Sequence, residues 1–226
     1  MTAALTLYRS SIGKKAVMAI TGIIGYGFVI AHMVGNLKVF EGAEGFNAYA
    51  EFLRTVGEPA VPARTLLWIA RIVLLAAVTL HVVSAIQLTR QANDGRPVAY
   101  REKRRKVASF ASMTLRWGGT AILLFIIYHL AHFTFGTAHP NFIKGDAYHN
   151  VVVGFQNPLV VGIYMIAVLA LAMHLYHGVW SMLQTLGLNN ARTTRLWRGL
   201  ATASAIGLFL GFATVPLAVI AGLVRI

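Results

Sequence analysis

Residues 158–188 read PLVVGIYMIAVLALAMHLYHGVWSMLQTLGL, with no Asp, Glu, Lys or Arg among them. About 20 predominantly apolar residues carry a helix across the hydrocarbon of a bilayer, so this stretch is long enough to span. At that depth no water satisfies the backbone, which leaves a helix or a strand of a closed barrel. Barrel strands alternate apolar and polar residues, and this run is too long and too uniformly apolar for one. It predicts a spanning helix that starts at Pro158, a residue suited to a first helical turn.

Four more stretches read the same way. They lie within Lys15–Val39, Thr65–Thr89 (interrupted only by Arg71), Phe110–Phe135 (interrupted only by Arg116) and Leu200–Val224. The expected fold is therefore all-α, an integral membrane bundle of five transmembrane helices. One membrane domain over residues 1–226 is expected, without internal repeats, with helices at approximately 16–39, 65–89, 108–136, 158–187 and 199–224. Composition agrees: 57% of residues are hydrophobic and 12% charged, whereas soluble domains carry roughly 25% charged residues. The first apolar run follows Lys14 and Lys15, lacks a small-residue cleavage site and is long enough to span, so it reads as a helix rather than a signal peptide. With no cysteine in the chain, disulfides, thiolate ligands and iron–sulfur ligation by this chain are excluded.

The net charge of +13 invites a nucleic-acid reading, but its distribution argues against one. Basic residues gather at the N-terminus (Arg9, Lys14, Lys15), after the second span (Arg90, Arg96, Arg101, Lys103, Arg104, Arg105, Lys106) and after the fourth (Arg192, Arg195, Arg198). The opposite face has Lys38, Arg54, Arg64, Lys144 and Arg225 mixed with Glu41, Glu44, Glu51, Glu58 and Asp146. That asymmetry places the N-terminus in the cytoplasm and the C-terminus outside. A basic cytoplasmic face suits anionic membrane lipid or a docked protein.

Two longer connections lie on the outer side. In the first, Phe46, Tyr49, Phe52 and Leu53 share one face of a helical pattern from Glu44 to Arg54, which predicts a short helix along the membrane surface. Pro59 and Pro62 end it before the second span. The second, residues 136–157, is richer in turn residues and ends at Pro158.

Of eight histidines, six lie inside the spans: His32, His81, His129, His132, His174 and His177. An ionisable residue at membrane depth is costly and is a functional candidate. A single one is explained as well by a hydrogen-bonded core residue, but histidines on each of spans one to four and none on span five are not. Depth sorts them. His32 lies near the outer end of its span, and His129 and His132 in the outer half of theirs, whereas His81, His174 and His177 fall in inner halves. So His32 pairs in height with His129 or His132, and His81 with His174 or His177. Two levels of facing imidazoles are what two bis-histidine haems require, and neither Cys nor a suitably placed Met offers another ligand.

A porphyrin lies against helices where side chains are small. Gly25 stands seven residues before His32 and Gly118 eleven before His129, spacings that return to one helix face. Ala77 and Ala85 flank His81, and Gly178 follows His174. Ordinary small-residue helix packing produces such spacings too. Arg71 lies ten residues outward of His81, near the outer level, and Arg116 thirteen residues inward of His129, near the inner level. Each is a candidate partner for haem propionates, with snorkelling to the headgroups as the competing explanation.

The stretches GKKAVMAITG, AHMVGNLKVFEG, FNAYAEFL, RIVLLAAVTLHVVSAIQLT, YHLAHFTFG and HLYHGVWSMLQTLGLNN resemble the five-helix, di-haem cytochrome b anchor of succinate dehydrogenases and fumarate reductases. The resemblance runs over nearly the whole chain. It implies one ligand histidine per helix on spans one to four: His32 and His129 for the outer haem iron, His81 and His174 for the inner. It also implies His129 rather than His132, because the family's ligand follows an arginine by thirteen residues as His129 follows Arg116, and His174 rather than His177, because the ligand opens HLYHGVWS. Depth alone leaves both choices open.

The same resemblance implies partners and a reaction. A flavoprotein subunit oxidises succinate, an iron–sulfur subunit on the cytoplasmic face passes the electrons on, and the anchor delivers them through two b haems to a quinone, typically menaquinone, in the bacterial cytoplasmic membrane. The anchor does not itself oxidise succinate. The cytochrome of another quinone-linked dehydrogenase or reductase is the nearest alternative, but those distribute their histidines differently. A proton-relay transporter would show broken helices, inverted repeats and acids in the spans, and this sequence has none. For the quinone, Glu51 and Arg54 on the outer surface helix and His132 beyond His129 are the candidates, a rim carboxylate being a source of the protons that quinone reduction takes up. Ser11, Lys14 and His177 would line a site beside the inner haem instead.

Overall fold

The computed structural model of the chain describes residues 10–95 and 110–226, apart from the side chains of 110–114. Arg9, Arg96 and the basic cluster Arg101–Lys106 lie outside the described residues. The elements are α1 (Ser11–Leu37), a 3-10 turn (Lys38–Glu41), α2 (Gly42–Thr55), α3 (Thr65–Asp94), α4 (Phe110–His129) continuing as a π-turn (Leu130–Thr134), α5 (Ala147–Phe155), α6 (Pro158–Thr185) and α7 (Thr194–Ile220). Among the described residues there are five helices apolar and long enough to span, namely α1, α3, α4, α6 and α7.

Local chemistry fixes where these helices begin and end. Ser10 caps α1 by accepting from the Gly13 amide at 3.0 Å, and Asn157 caps α6 by accepting from the Leu159 amide, with Pro158 at the first turn. Between α1 and α2 the chain turns at Gly42, whose φ of 85° is the left-handed region that a side chain would oppose. The second outer connection, rich in turn residues, holds helix α5. Asp146 nucleates it by accepting from the His149 amide at 2.9 Å. The cap and the apolar run Val151–Val153 with Phe155 were the signals; the surrounding Gly, Pro and Asn residues hid them.

α6 and α7 are joined by a short turn, whereas α2 lies between α1 and α3, and α5 between α4 and α6. α1 packs on α3, α7 and α6, and α6 packs on α7, α4 and α1. The densest packing is at one end, where α2, α5 and the last residues meet the ends of the spans. Val39, Phe46, Val152, Phe155, Val161, Tyr164, Val215 and Val219 form a buried cluster there. Leu75, Leu124, Ile127 and Ile166 on the spans are each more than 60% exposed. Large apolar side chains facing outward are what hydrocarbon solvates and water does not.

Helix α2 differs from the expected surface helix in one respect. Phe46 is buried in the core and Tyr49 packs against Gly35 of α1, while Phe52 and Leu53 point outward. Its apolar side chains therefore divide between the bundle and the surroundings.

Candidate functional site

Two histidine pairs face each other across helices. His81 of α3 and His174 of α6 have ring centroids 6.2 Å apart, and His32 of α1 and His129 of α4 have theirs 5.7 Å apart. The two pairs occupy different levels. The His81 ring abuts α1 at Gly22 and the His174 ring abuts α4 at Gly119; each glycine stands ten residues before the histidine of the other pair on its own helix. At 1.5 Å per residue that separates the levels by about 15 Å on both helices.

Hydrogen bonds settle which nitrogen of His81 is free. Its Nδ1 lies 3.1 Å from the Met18 carbonyl oxygen and 3.2 Å from Thr21 Oγ1. A carbonyl only accepts, and the Thr21 hydroxyl donates to the Val17 carbonyl at 2.8 Å, so Nδ1 carries the hydrogen and Nε2 keeps its lone pair. This is the usual arrangement of a metal-bound imidazole, whose other nitrogen donates to a carbonyl that fixes tautomer and ring orientation. The Nδ1 of His174 is buried without a hydrogen-bond partner among the described residues.

At the other level the His129 Nδ1 is 3.1 Å from the Tyr164 hydroxyl, and the His32 ring stacks on Phe28. His132, one turn beyond His129, is turned away from His32. Its ring is wholly buried, stacked between Tyr128 and His139, and its Nδ1 shares the Tyr164 hydroxyl at 3.0 Å. His139 completes the cluster, bonded to the Asn150 carbonyl and the Asn141 amide. The π-turn, closed from the Phe135 amide to the Leu130 carbonyl, sits where His132 swings inward; such turns recur at functional sites.

The residues fit haem irons. Each ring pair leaves room for one metal ion bonded at about 2 Å to each imidazole. Glycines stand at the His81–His174 level, and there Gly22 and Gly119, not Gly25 and Gly118, are those against the rings. A Cβ at Gly25 or Gly118 meets nothing within 4 Å, although both are half-buried, so they adjoin open space. Spacing from a helix's own histidine found the latter two. The ring opposite, supplied by another helix, selects the former.

The remaining candidates lie further out. Arg71 is exposed, with its guanidinium over the Trp68 ring at 5.0 Å, and Arg116 is exposed one turn before Gly119. Glu51 and Arg54 pair with each other at 2.8 Å on the exposed side of α2. At the opposite end Lys14 is buried, Ser11 is exposed and His177 is half-buried. Sequence reasoning passed over Thr21 and Tyr164. Each stands about 15 Å of helix rise before a histidine of the other level, eleven residues before His32 and ten before His174, and that spacing was the signal available.

A five-span helical membrane protein with paired intramembrane histidines at two levels is the class that fold and site define. The family model described as the succinate dehydrogenase/fumarate reductase transmembrane subunit matches residues 92–219, and the chain belongs to that family. It is similar to the succinate dehydrogenase cytochrome b558 subunit of Bacillus subtilis (strain 168), with 24% identity over 172 residues, covering 75% of this chain and 77% of that protein. No solved structure matches the chain. Family and spans together describe a multi-pass membrane subunit, consistent with a bacterial inner membrane.

Proposed function

We propose that this chain is the membrane anchor and cytochrome b subunit of a succinate:menaquinone oxidoreductase, carrying electrons from an iron–sulfur subunit through two b haems to quinone. The observation that carries the reading is the pair of facing imidazole couples, His81 with His174 and His32 with His129, at two levels. Each haem, when bound, supplies one-electron redox chemistry. The chain's part is to orient the ligands, exclude water and hold counter-charges. Thr21 and the Met18 carbonyl fix the inner ligand on α3, and apolar spans wall the path on both sides.

The N-terminus and the connections rich in Arg and Lys are assigned to the cytoplasm, where the iron–sulfur and flavoprotein subunits dock. Electrons then travel outward, and each one crossing the full potential exchanges roughly 2.3 kcal/mol per 100 mV. That term assists an otherwise uphill transfer from succinate to menaquinone. Arg116, one turn from Gly119, is assigned to the inner haem's propionates and Arg71 to the outer haem's. Arg116→Gln then lowers the inner midpoint potential, because removing a positive charge favours the oxidised iron; an unchanged potential removes Arg116 from this role. Quinone reduction is assigned to the outer end beside α2, with the Glu51–Arg54 pair at the rim; His132, wholly buried, has no exposed atom to offer a quinone directly.

The test is a haem count. A pyridine haemochrome assay on the purified complex gives two haems per chain. His81→Ala removes only the inner haem and His32→Ala only the outer. One haem or none in the wild type overturns the reading.

A further inference from the structure

The Tyr164 hydroxyl is buried between two histidine nitrogens, His129 Nδ1 at 3.1 Å and His132 Nδ1 at 3.0 Å. A phenol has one hydrogen to donate. It can therefore donate to only one of the two rings and must accept from the other, so the rings are forced into opposite tautomers. If His129 binds iron through Nε2, its Nδ1 carries hydrogen and donates to the Tyr164 oxygen. The Tyr164 hydrogen then goes to His132 Nδ1, and the His132 proton sits on Nε2. That Nε2 is the buried nitrogen with no partner among the described residues. The reverse polarity would put hydrogen on His129 Nε2 and close it to a metal.

The surroundings hold the chain in place. Tyr164 packs edge-on against Phe125, Phe155 and Phe133. His132 is clamped between Tyr128 and His139, and the His139 tautomer is itself fixed, because its Nδ1 accepts from the Asn141 amide and its Nε2 faces the Asn150 carbonyl. At the inner level, by contrast, a backbone carbonyl and a threonine hydroxyl hold His81.

We propose that Tyr164 is the positioning residue of the outer haem ligand, and that His132 sets the direction of the Tyr164 hydroxyl rather than binding the iron. The assignment rests on His129 being the outer ligand. Hydrogen bonds from a ligand's second nitrogen raise its basicity and so tune the metal. Removing the acceptor weakens His129 as a donor, favours the reduced iron and raises the outer midpoint potential.

The test is a redox titration and a low-temperature EPR spectrum of the purified complex, with haem content measured alongside. Tyr164→Phe is expected to keep both haems, raise the potential of the outer one alone and shift its low-spin EPR signal. Both haems present with the outer potential and signal unchanged would overturn the positioning role. Where Tyr164→Phe does not accumulate, two variants that keep the tyrosine decide. His132→Gln retains an acceptor for the hydroxyl and keeps the outer potential near wild type, while His132→Leu removes it and shifts the potential; equal potentials in the two overturn the proposal. Loss of the outer haem in His132→Leu with its retention in His129→Leu would overturn instead the ligand assignment beneath it.

Discussion

Asp146 shows how much a single side chain organises outside the membrane. Its carboxylate accepts from the His149 amide and from Asn47 Nδ2, both at 2.9 Å, so it caps α5 and ties it to α2. The His149 amide bond first, and the Asn47 bond second, hold its pKa below the usual carboxylate value. A depressed folded pKa means stability that is present above the unfolded value near 3.9 and lost as pH falls through the lower folded one. Asp146→Ala should cost about 1 kcal/mol at neutral pH, and its melting temperature should vary less with pH below about 4 than the wild type's. Thermal melts of the detergent-solubilised complex across that range check both; a variant that melts like wild type at neutral pH removes Asp146 as the cap.

Among the elements, the short helices decide more than their length suggests. α5 seats Gly154 against the buried ring of His132 and the half-buried ring of Phe133, where a Cβ would lie 3.0 Å from a carbon of each. Alanine raises helix propensity by about 1 kcal/mol, but overpacking a clamped cluster costs about 1–3 kcal/mol. Gly154→Ala should therefore be destabilising on balance and release the outer haem at a lower temperature, as an absorbance melt would show. Gly35→Ala meets the Tyr49 hydroxyl end at 2.9 Å, but Tyr49 is only half-buried and can rotate aside, so its effect should be smaller; the reverse order would mean that α2 is the more rigid support.

Helix α2 also carries the proposed quinone rim. Glu51→Gln should leave both haems bound and the inner one reducible by succinate, while quinone turnover falls at least tenfold. Normal turnover would move the reaction to the inner end, beside Ser11, Lys14 and His177. That α2 exists was legible from the spacing of Phe46, Tyr49, Phe52 and Leu53. That Phe46 enters the core while Phe52 stays outside was not, because periodicity marks an apolar face but not what covers each part of it.

For the whole molecule, the proposed topology places the iron–sulfur partner where α3 and α6 end. Lysine-directed crosslinks from Lys103 or Lys106 should reach that subunit; crosslinks to it only from Lys38 or Lys144 would invert the topology. The sequence by itself determined the five spans, because a bilayer forbids unsatisfied backbone and so fixes both helix length and composition. It also determined the two histidine levels, because helix rise converts residue number into depth. Depth is one coordinate, however, and facing is another. That His129 meets His32 while His132 turns into an aromatic cluster, that Gly22 and Gly119 rather than Gly25 and Gly118 abut the His81 and His174 rings, and that Thr21 and Tyr164 contact histidine nitrogens depended on how the helices rotate against one another. Only the tertiary structure decided those, since rotation is set by side chains packed from distant parts of the chain.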